Sequence, residues 1–137
     1  NNSETWEYYN TDPDCCDTLG VTLEIPSHHF QAGDTFSCDA IICNNVGYPL
    51  PGYPLFVILE VYGTYFWGPT FTEEINFYLD RVPQINENET TVTIIEPFTW
   101  PANVGSADGI TFYAALTDPA VSFLYGEMDS WELGWGP

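Results

Sequence analysis

The sequence predicts an all-β protein, a single antiparallel β-sandwich of seven to eight strands that follows an extended N-terminal arm. Short runs rich in Val, Ile, Tyr and Phe recur from residue 21 onward, and Gly, Pro and Asn separate them as turns separate strands. No window combines helical periodicity with capping residues. A length of 137 residues suits one domain. The arm is therefore assigned to residues 1–18 and the sandwich to residues 19–137.

Alternation and turn residues predict the strands in chain order. Residues 21–25 alternate apolar and polar side chains and stop at Pro26. The next predicted strand is 34–44, and a turn composition follows it. One face of that strand carries Phe36, Cys38, Ala40 and Ile42. Later strands are predicted at 75–80, 91–95, 110–117, 121–125 and 131–135.

Residues 55–67 are the most apolar stretch of the chain, and their Val, Ile, Tyr and Phe content predicts one long strand. Both faces of this strand would be largely apolar, and Phe56 and Ile58 lie on the second face. The outward face of an antiparallel sandwich is normally polar. We therefore expect a long loop, the arm or another molecule to cover Phe56 and Ile58, which makes them candidate interface residues.

The arm differs in composition from the rest of the chain. Residues 1–18 are polar and acidic, contain Trp6, Tyr8 and Tyr9, and have no aliphatic side chain. Such a segment cannot form a core, and a polar terminus is ordered only where something holds it. The arm is therefore predicted to dock on the sandwich or to be donated to a neighbour, with Trp6, Tyr8 and Tyr9 at the interface.

The chain carries 20 Asp and Glu residues and one basic residue, Arg81, for a formal charge of −19. Binding to nucleic acid and to anionic membranes requires a basic surface, so the charge excludes both. Acidic chains are often disordered, but 45% of these residues are hydrophobic and the chain should fold. Because the carboxylates repel one another, we expect divalent cations or an acidic or salty medium to relieve the repulsion.

Two clusters of carboxylates are candidate Ca²⁺ sites, because Ca²⁺ binds about six to eight oxygen ligands in flexible geometry. The first cluster lies in the arm and comprises Asp12, Asp14 and Asp17. It is not an EF-hand, because the glycine and the final glutamate of that loop are missing. The second cluster, at the last predicted turn, comprises Glu127, Asp129 and Glu132. A solvated acidic loop is the alternative for each.

The four cysteines lack the spacing of zinc, thioredoxin or haem sites and are predicted to form disulfides. Adjacent Cys15 and Cys16 would form a strained ring if they paired with each other. Each is therefore expected to bond one of Cys38 and Cys43, in either combination. Structural disulfides indicate an extracytoplasmic protein.

Other sequence features agree with export. Glycosylation sequons begin at Asn1 and Asn88 and are candidate modification sites. No apolar run approaches roughly 18 residues, so no membrane insertion is expected. We expect a mature secreted chain whose export signal has been removed.

A short signature within residues 20–62 resembles a known family. Residues 32–36, Ala-Gly-Asp-Thr-Phe, are followed by Asn-Asn-Val-Gly at 44–47. This pattern resembles the turns that enter and leave a strand in bacterial cell-adhesion-related (CARDB-like) Ig-like domains. The resemblance implies an Ig-like sandwich with a non-catalytic role on a prokaryotic cell surface. Cys38, Cys43 and the arm depart from the family pattern.

The sequence contains no catalytic constellation. Motifs of serine hydrolases, zinc proteases, P-loop proteins and dinucleotide enzymes are missing. A glycosidase would need two carboxylates flanking a cleft, and a small sandwich with short loops offers little room for one. His28 and His29 are adjacent and so point to opposite faces of an extended chain, which favours a loop pair over a metal site or a base. The protein is predicted not to be an enzyme.

Together these features predict a structural subunit of an extracellular filament or surface lattice, stabilised by calcium and disulfides. The arm of one subunit would lie along the sheet edge of the next, and such a contact propagates head to tail into a homopolymer. The alternative is a calcium-dependent carbohydrate-binding or adhesion module of a cell-surface protein, whose exposed aromatic residues would bind glycans. Outside the arm, the aromatic residues expected to be exposed or interfacial are Tyr53, Trp67 and Trp135.

Overall fold

A computed structural model describes residues 18–45, 50–79 and 89–136 of the chain. These residues form eight strands and no helix. In chain order the strands are β1 (Gly20–Glu24), β2 (His29–Phe30), β3 (Thr35–Cys43), β4 (Leu55–Val61), β5 (Thr64–Trp67), β6 (Glu89–Thr99), β7 (Ala107–Leu116) and β8 (Asp129–Trp135).

The strands form two sheets that pack together. The three-stranded sheet has the order β1-β3-β6 and is antiparallel. The five-stranded sheet has the order β2-β8-β7-β4-β5, and only its β2–β8 pair is parallel. Buried side chains of both sheets form one core. The predicted all-β class and the packing of two sheets are confirmed.

The core follows the alternation that the sequence predicts for β3. Phe36, Cys38, Ala40 and Ile42 are all buried, and the residues between them are half-buried. Strand β7 contributes the matching layer from the other sheet, with its alternate residues buried from Ile110 onward. Because side chains of a strand alternate in direction, each sheet keeps one face for the core and one face outside it.

Residues 55–67 form a hairpin instead of the single predicted strand. Strand β4 ends at Val61, β5 begins at Thr64, and the two strands pair antiparallel. Tyr62 and Gly63 form the turn, with φ angles of 50° and 86°. Two positive φ angles are typical of a type I′ turn, whose twist matches that of paired strands. The uniform apolar character of this stretch concealed the turn.

The strand predicted at 75–80 does not form over its described part, residues 75–79. This segment pairs only at Tyr78, whose backbone N–H donates to the carbonyl of Leu55 at 2.8 Å and whose carbonyl accepts from the Leu55 N–H at 3.0 Å. The segment therefore runs beside the start of β4 as a loop held by one bridge.

The strand predicted at 121–125 is replaced by a turn organised by Asp118. The Asp118 carboxylate accepts hydrogen bonds from the backbone N–H groups of Ser122 and Phe123, at 2.7 and 3.0 Å. Desolvation acts to raise the pKa of Asp118, but these hydrogen bonds favour the carboxylate and lower the pKa overall. The side chain thus satisfies backbone donors that a sheet would otherwise have paired.

Two hydrogen bonds connect the outer edge of β1 to the region of Glu127 and Asp129 at the start of β8; we name this connection the seam. The N–H of Val21 donates to the carbonyl of Glu127 at 3.0 Å, and the N–H of Leu23 donates to the Asp129 carboxylate at 2.8 Å. Gly20 permits this approach, because its φ is 139° and a Cβ there would collide with the Glu127 backbone. The outer edge of β1 is therefore already occupied within the chain.

Candidate interaction surfaces

The outer side of the five-stranded sheet carries aromatic side chains where polar ones are usual. Strand register places Tyr65 of β5 beside Glu60 of β4, and Trp67 beside Ile58. Ile58 in turn lies beside Tyr113 of β7. Directly opposed residues of antiparallel strands share one side of the sheet. We name this surface the aromatic face; it comprises Ile58, Glu60, Tyr65, Trp67, Thr111, Tyr113 and Glu132.

One hydrogen bond crosses the aromatic face. The hydroxyl of Tyr113 donates to Glu60 Oε1 at 2.9 Å. This bond, together with partial desolvation and the Glu60 charge, favours the neutral phenol and raises the pKa of Tyr113. A carboxylate accepts several hydrogen bonds, so Glu60 can accept more. Glu60 and Tyr113 therefore form a polar pair positioned between aromatic rings.

Phe56 is covered by its own chain. The ring of Phe77, in the loop after β5, lies 5.3 Å from that of Phe56, and the ring of Trp67 lies 6.0 Å from it, centroid to centroid. Phe56 is consequently only 9% exposed. A long loop was one of the three predicted kinds of cover, and here the loop after β5 supplies it. An interface role for Phe56 stays a prediction. Ile58 is half-buried and stays on the aromatic face.

Strand β6 is the long open edge of the three-stranded sheet. It has 11 residues, and among the described residues it pairs only with β3. Elsewhere in the described ranges the sheet edges are short or occupied: β2 has two residues, β5 has four, and β1 joins the seam. Long edges are normally blunted by lysine, proline or bulges. Two register irregularities and Pro97 lie between Thr93 and Thr99. From Glu89 to Thr93 the pairing of β6 with β3 is regular and the side chains are mostly threonine.

The predicted carboxylate cluster near the last turn is not assembled. Asp129 accepts the Leu23 N–H in the seam, whereas Glu132 is exposed on the aromatic face. Within residues 18–45, 50–79 and 89–136, no three His, Cys, Asp or Glu side chains form a group that could hold a metal ion. The other predicted calcium ligands, Asp12, Asp14 and Asp17, lie outside these ranges. Calcium therefore stays a prediction.

Cys38 is a free thiol, so the prediction that it forms a disulfide is corrected. Its side chain is fully buried between the two sheets, because the alternation of β3 directs it into the core. Burial raises the pKa of the Cys38 thiol to about 12. Cys43, at the end of β3, is not free. The remaining cysteines, Cys15 and Cys16, lie outside the described residues.

His28 and His29 both contact the C-terminal strand region. The ring of His28 stacks on Trp131 at a centroid distance of 4.2 Å, and its Nδ1–H donates to the carbonyl of Glu132 at 2.6 Å. The Nε2–H of His29 donates to the carbonyl of Gly136 at 3.0 Å. These contacts accompany the parallel pairing of β2 with β8. The sequence did not predict β2, because two residues carry no alternation.

Several other predicted positions lie outside the described residues; they are Asn1, Trp6, Tyr8, Tyr9 and Asn88. Of the remaining aromatic residues predicted to be exposed or interfacial, Tyr53, Trp67 and Trp135 are half-buried. In the part of the chain that the structure describes, no helix is long and apolar enough to cross a membrane.

Sequence reasoning missed Glu60, Tyr65 and Tyr113 as members of one surface. Their proximity depends on the register of three strands, and one long strand over 55–67 could not bring Tyr65 beside Glu60. A signal was present, because Tyr62-Gly63 offers a turn with a glycine at its second position and Tyr65 and Trp67 alternate after it. A hairpin predicted over residues 55–67 would have placed Tyr65 and Trp67 together on one side of a sheet.

Comparison with known proteins identifies no family for this chain. No family model matches it, and no curated protein matches it. The resemblance to CARDB-like domains therefore stays a prediction.

Proposed function

We propose that the protein is a non-catalytic structural subunit that polymerises head to tail into an extracellular filament or surface lattice. The observation that carries the proposal is the long edge of β6, which lacks a second neighbouring strand among the described residues. An extended segment that adds to such an edge makes main-chain hydrogen bonds along its length. The proposed segment is the arm, residues 1–18, of a neighbouring subunit.

The geometry of the three-stranded sheet suits a repeating contact. The arm precedes β1, and β1 and β6 lie on opposite edges of that sheet. An arm that extends outward from β1 would place donor and acceptor on different sides of one subunit, giving a heterologous contact that repeats unless it closes into a ring. The 11 residues of β6 span about 35 Å. An extended arm is long enough to follow the regular part of the edge, from Glu89 to Thr93.

Cations are an essential part of the proposal, because each subunit carries a charge of −19. The β6 edge has exposed carboxylates at Glu89 and Glu96, and the arm brings Asp12, Asp14 and Asp17. We propose that Ca²⁺ binds between these two acidic segments. Removing Ca²⁺ would then leave like charges facing each other and dissociate the polymer.

The Ig-like topology, secretion, the disulfide and glycosylation are also part of the proposed function. The two-sheet domain is proposed to be Ig-like and secreted to a prokaryotic cell surface, in keeping with its resemblance to CARDB-like domains. Because Cys38 is free, Cys43 is proposed to bond Cys15 or Cys16, which would tie the end of the arm to β3 and leave the preceding residues able to reach a neighbour. Asn1 and Asn88 are proposed glycosylation sites.

Negative-stain microscopy and sedimentation test the assembly directly. The intact chain in Ca²⁺ is expected to form filaments or sheets, and chelation is expected to return particles of 15.4 kDa. Deleting residues 1–10 should abolish assembly and preserve the β-sheet circular dichroism spectrum. An intact chain that stays monomeric at all Ca²⁺ concentrations would refute the proposal.

A pair of proline variants tests the edge itself. Neighbouring residues of a strand direct their N–H groups to opposite sides, so one of Thr90 and Thr91 faces β3 and the other faces the open edge. Proline at the first loses a ladder bond and destabilises the domain, whereas proline at the second removes only an outward donor. Of Thr90→Pro and Thr91→Pro, the variant that keeps parental stability is expected to lose assembly. If it polymerises normally, β6 is not the acceptor.

A carbohydrate-binding or adhesion module is the second candidate function. The aromatic face favours it, because rings on an outer sheet surface offer stacking positions for sugars. This function requires a glycan ligand and no polymer. Negative-stain microscopy therefore distinguishes the two functions, because only the structural subunit is expected to form filaments or sheets.

A further inference from the structure

The aromatic face is organised as two rows that cross the strands. One row runs from Trp67 through Ile58 and Tyr113 to Ser130, and its first three residues are aromatic or apolar. The second row runs from Tyr65 through Glu60 to Thr111 and Glu132, and it is predominantly polar. A ligand lying across the strands would therefore meet the rings of Trp67 and Tyr113 in one row, and the ring of Tyr65 beside hydrogen-bonding groups in the other.

The spacing of the rows limits the size of that ligand. Neighbouring strands lie about 4.8 Å apart, so Trp67 on β5 and Tyr113 on β7, two strands apart, are separated by about 10 Å at the backbone. Successive residues on one face of a strand are about 7 Å apart, which sets the distance between the rows. This area matches a short chain of sugar rings better than a single small molecule.

The chemistry of the rows suits a sugar. The C–H faces of a pyranose ring pack on aromatic rings, and its hydroxyl groups need acceptors. Tyr65 is 48% exposed and offers a ring to solvent. The Glu60 carboxylate, held by the Tyr113 hydroxyl at 2.9 Å, retains acceptor capacity. Ring and acceptor are therefore side by side on opposed strands.

The negative charge of the aromatic face favours neutral ligands over anionic ones. The aromatic face carries the carboxylates of Glu60 and Glu132, and the described residues include no Lys or Arg. Anionic glycans, nucleic acids and anionic lipids would be repelled. A second copy of this acidic chain would be repelled as well, unless cations bridged the two. A neutral carbohydrate presents hydroxyl donors to these carboxylates without that cost.

We propose that the aromatic face binds a neutral oligosaccharide or polysaccharide chain, with Tyr65, Trp67 and Tyr113 packing on sugar rings and Glu60 and Glu132 accepting hydrogen bonds from hydroxyl groups. The inference rests on the second candidate function and is independent of assembly through β6. A polymer of such subunits would display the site repeatedly, so avidity for a polysaccharide would exceed the affinity of one domain.

Calorimetry and tryptophan fluorescence with defined glycans test the site. The probes are neutral hexasaccharides of glucose, mannose, galactose and xylose, together with glucuronate-containing chains of the same length. We expect saturable binding of at least one neutral chain, a change in Trp67 emission, and no binding of the acidic chains. If no neutral chain binds at millimolar concentration, or if acidic chains bind more tightly, the proposal is overturned.

Matched variants locate the binding. Tyr65→Ala is expected to weaken binding by about tenfold, equivalent to about 1.4 kcal/mol, and Tyr65→Phe should retain it. Phe123→Ala is the control, because Phe123 is an exposed aromatic residue on the Asp118 turn, away from the aromatic face. Equal binding by Tyr65→Ala and the parent would overturn the site. If Tyr65→Ala instead abolishes polymerisation, the aromatic face is a subunit contact and the glycan proposal fails while assembly stands.

Discussion

The outer faces of the two sheets both carry carboxylates and threonines, but only the face of the five-stranded sheet adds aromatic rings. On the three-stranded sheet, register aligns Glu24 with Asp39 and Asp39 with Thr93. The neighbouring row aligns Thr22 with Ile41 and Thr91. This face is thus mostly short hydroxyl and carboxylate side chains. The aromatic face of the five-stranded sheet places Tyr65, Trp67 and Tyr113 among its own carboxylate and threonine side chains.

The difference indicates that the outer face of the three-stranded sheet is adapted only to contact with water. A face of threonine and carboxylates is the ordinary solvated side of an antiparallel sheet. Aromatic side chains left in water forgo the free energy of burial, at about 25 cal/mol per Å² of apolar area. A protein that is otherwise so acidic gains nothing in solubility from the aromatic face. Of its three rings, only that of Tyr65 is largely exposed, at 48%, and contact with a ligand is proposed for that ring.

The largest predicted effect divides the aromatic face into a structural part and a free part. Trp67 is half-buried and packs edge-on against Phe56, so Trp67→Ala is expected to lower the free energy of unfolding by about 2 kcal/mol. Tyr65 is more exposed, and Tyr65→Ala should cost about 0.5 kcal/mol or less. Urea unfolding followed by circular dichroism measures both.

Similar losses in the two variants would contradict the division. A large loss for Tyr65→Ala would mean that its ring supports the hairpin, and that the aromatic face exists for stability. A negligible loss for Trp67→Ala would mean that Phe77 alone covers Phe56. Phe77→Ala is the matched variant, because its ring contacts the same side chain at 5.3 Å.

The sequence predicted the fold class and the core of β3 because period-2 alternation depends only on the local strand. The same alternation gave no information where a stretch was apolar throughout, so the hairpin turn at Tyr62 and Gly63 went unnoticed. It also failed at 121–125, where one carboxylate, Asp118, binds the backbone donors of Ser122 and Phe123. A side chain that competes for backbone donors leaves no trace in hydrophobic patterning.

The candidate surfaces were harder to predict because they depend on register. Glu60, Tyr65 and Tyr113 belong to three strands, and only their pairing brings them together. In the described residues, Glu127, Asp129 and Glu132 are not brought into one group, for the converse reason. Proximity in sequence suggested a shared site, but Asp129 is committed to the seam with β1. Asp129 and Glu132 are three residues apart on β8, so their side chains point to opposite faces of the sheet.

A second prediction concerns the polar pair of the aromatic face. Because the hydrogen bond to Glu60 raises the pKa of Tyr113, absorbance titration should show a phenol that ionises above the usual pKa of about 10. The stabilisation from this bond is present below the unfolded pKa and is lost as the pH rises through the folded pKa. Glu60→Gln should lower that pKa, and Glu132→Gln should not. Identical titrations for all three proteins would show that the bond does not persist in solution.

The smallest predicted effect lies on the polar face of the three-stranded sheet. Glu24 and Asp39 are directly opposed on β1 and β3, and like charges in that position destabilise a sheet. Glu24→Lys replaces repulsion with an ion pair and should raise the free energy of unfolding by about 0.5 kcal/mol. Thr22→Lys is the control, because it adds a positive charge to the same strand opposite Ile41. The gain of Glu24→Lys over Thr22→Lys should shrink in high salt; a salt-independent gain would assign it to strand propensity instead of charge.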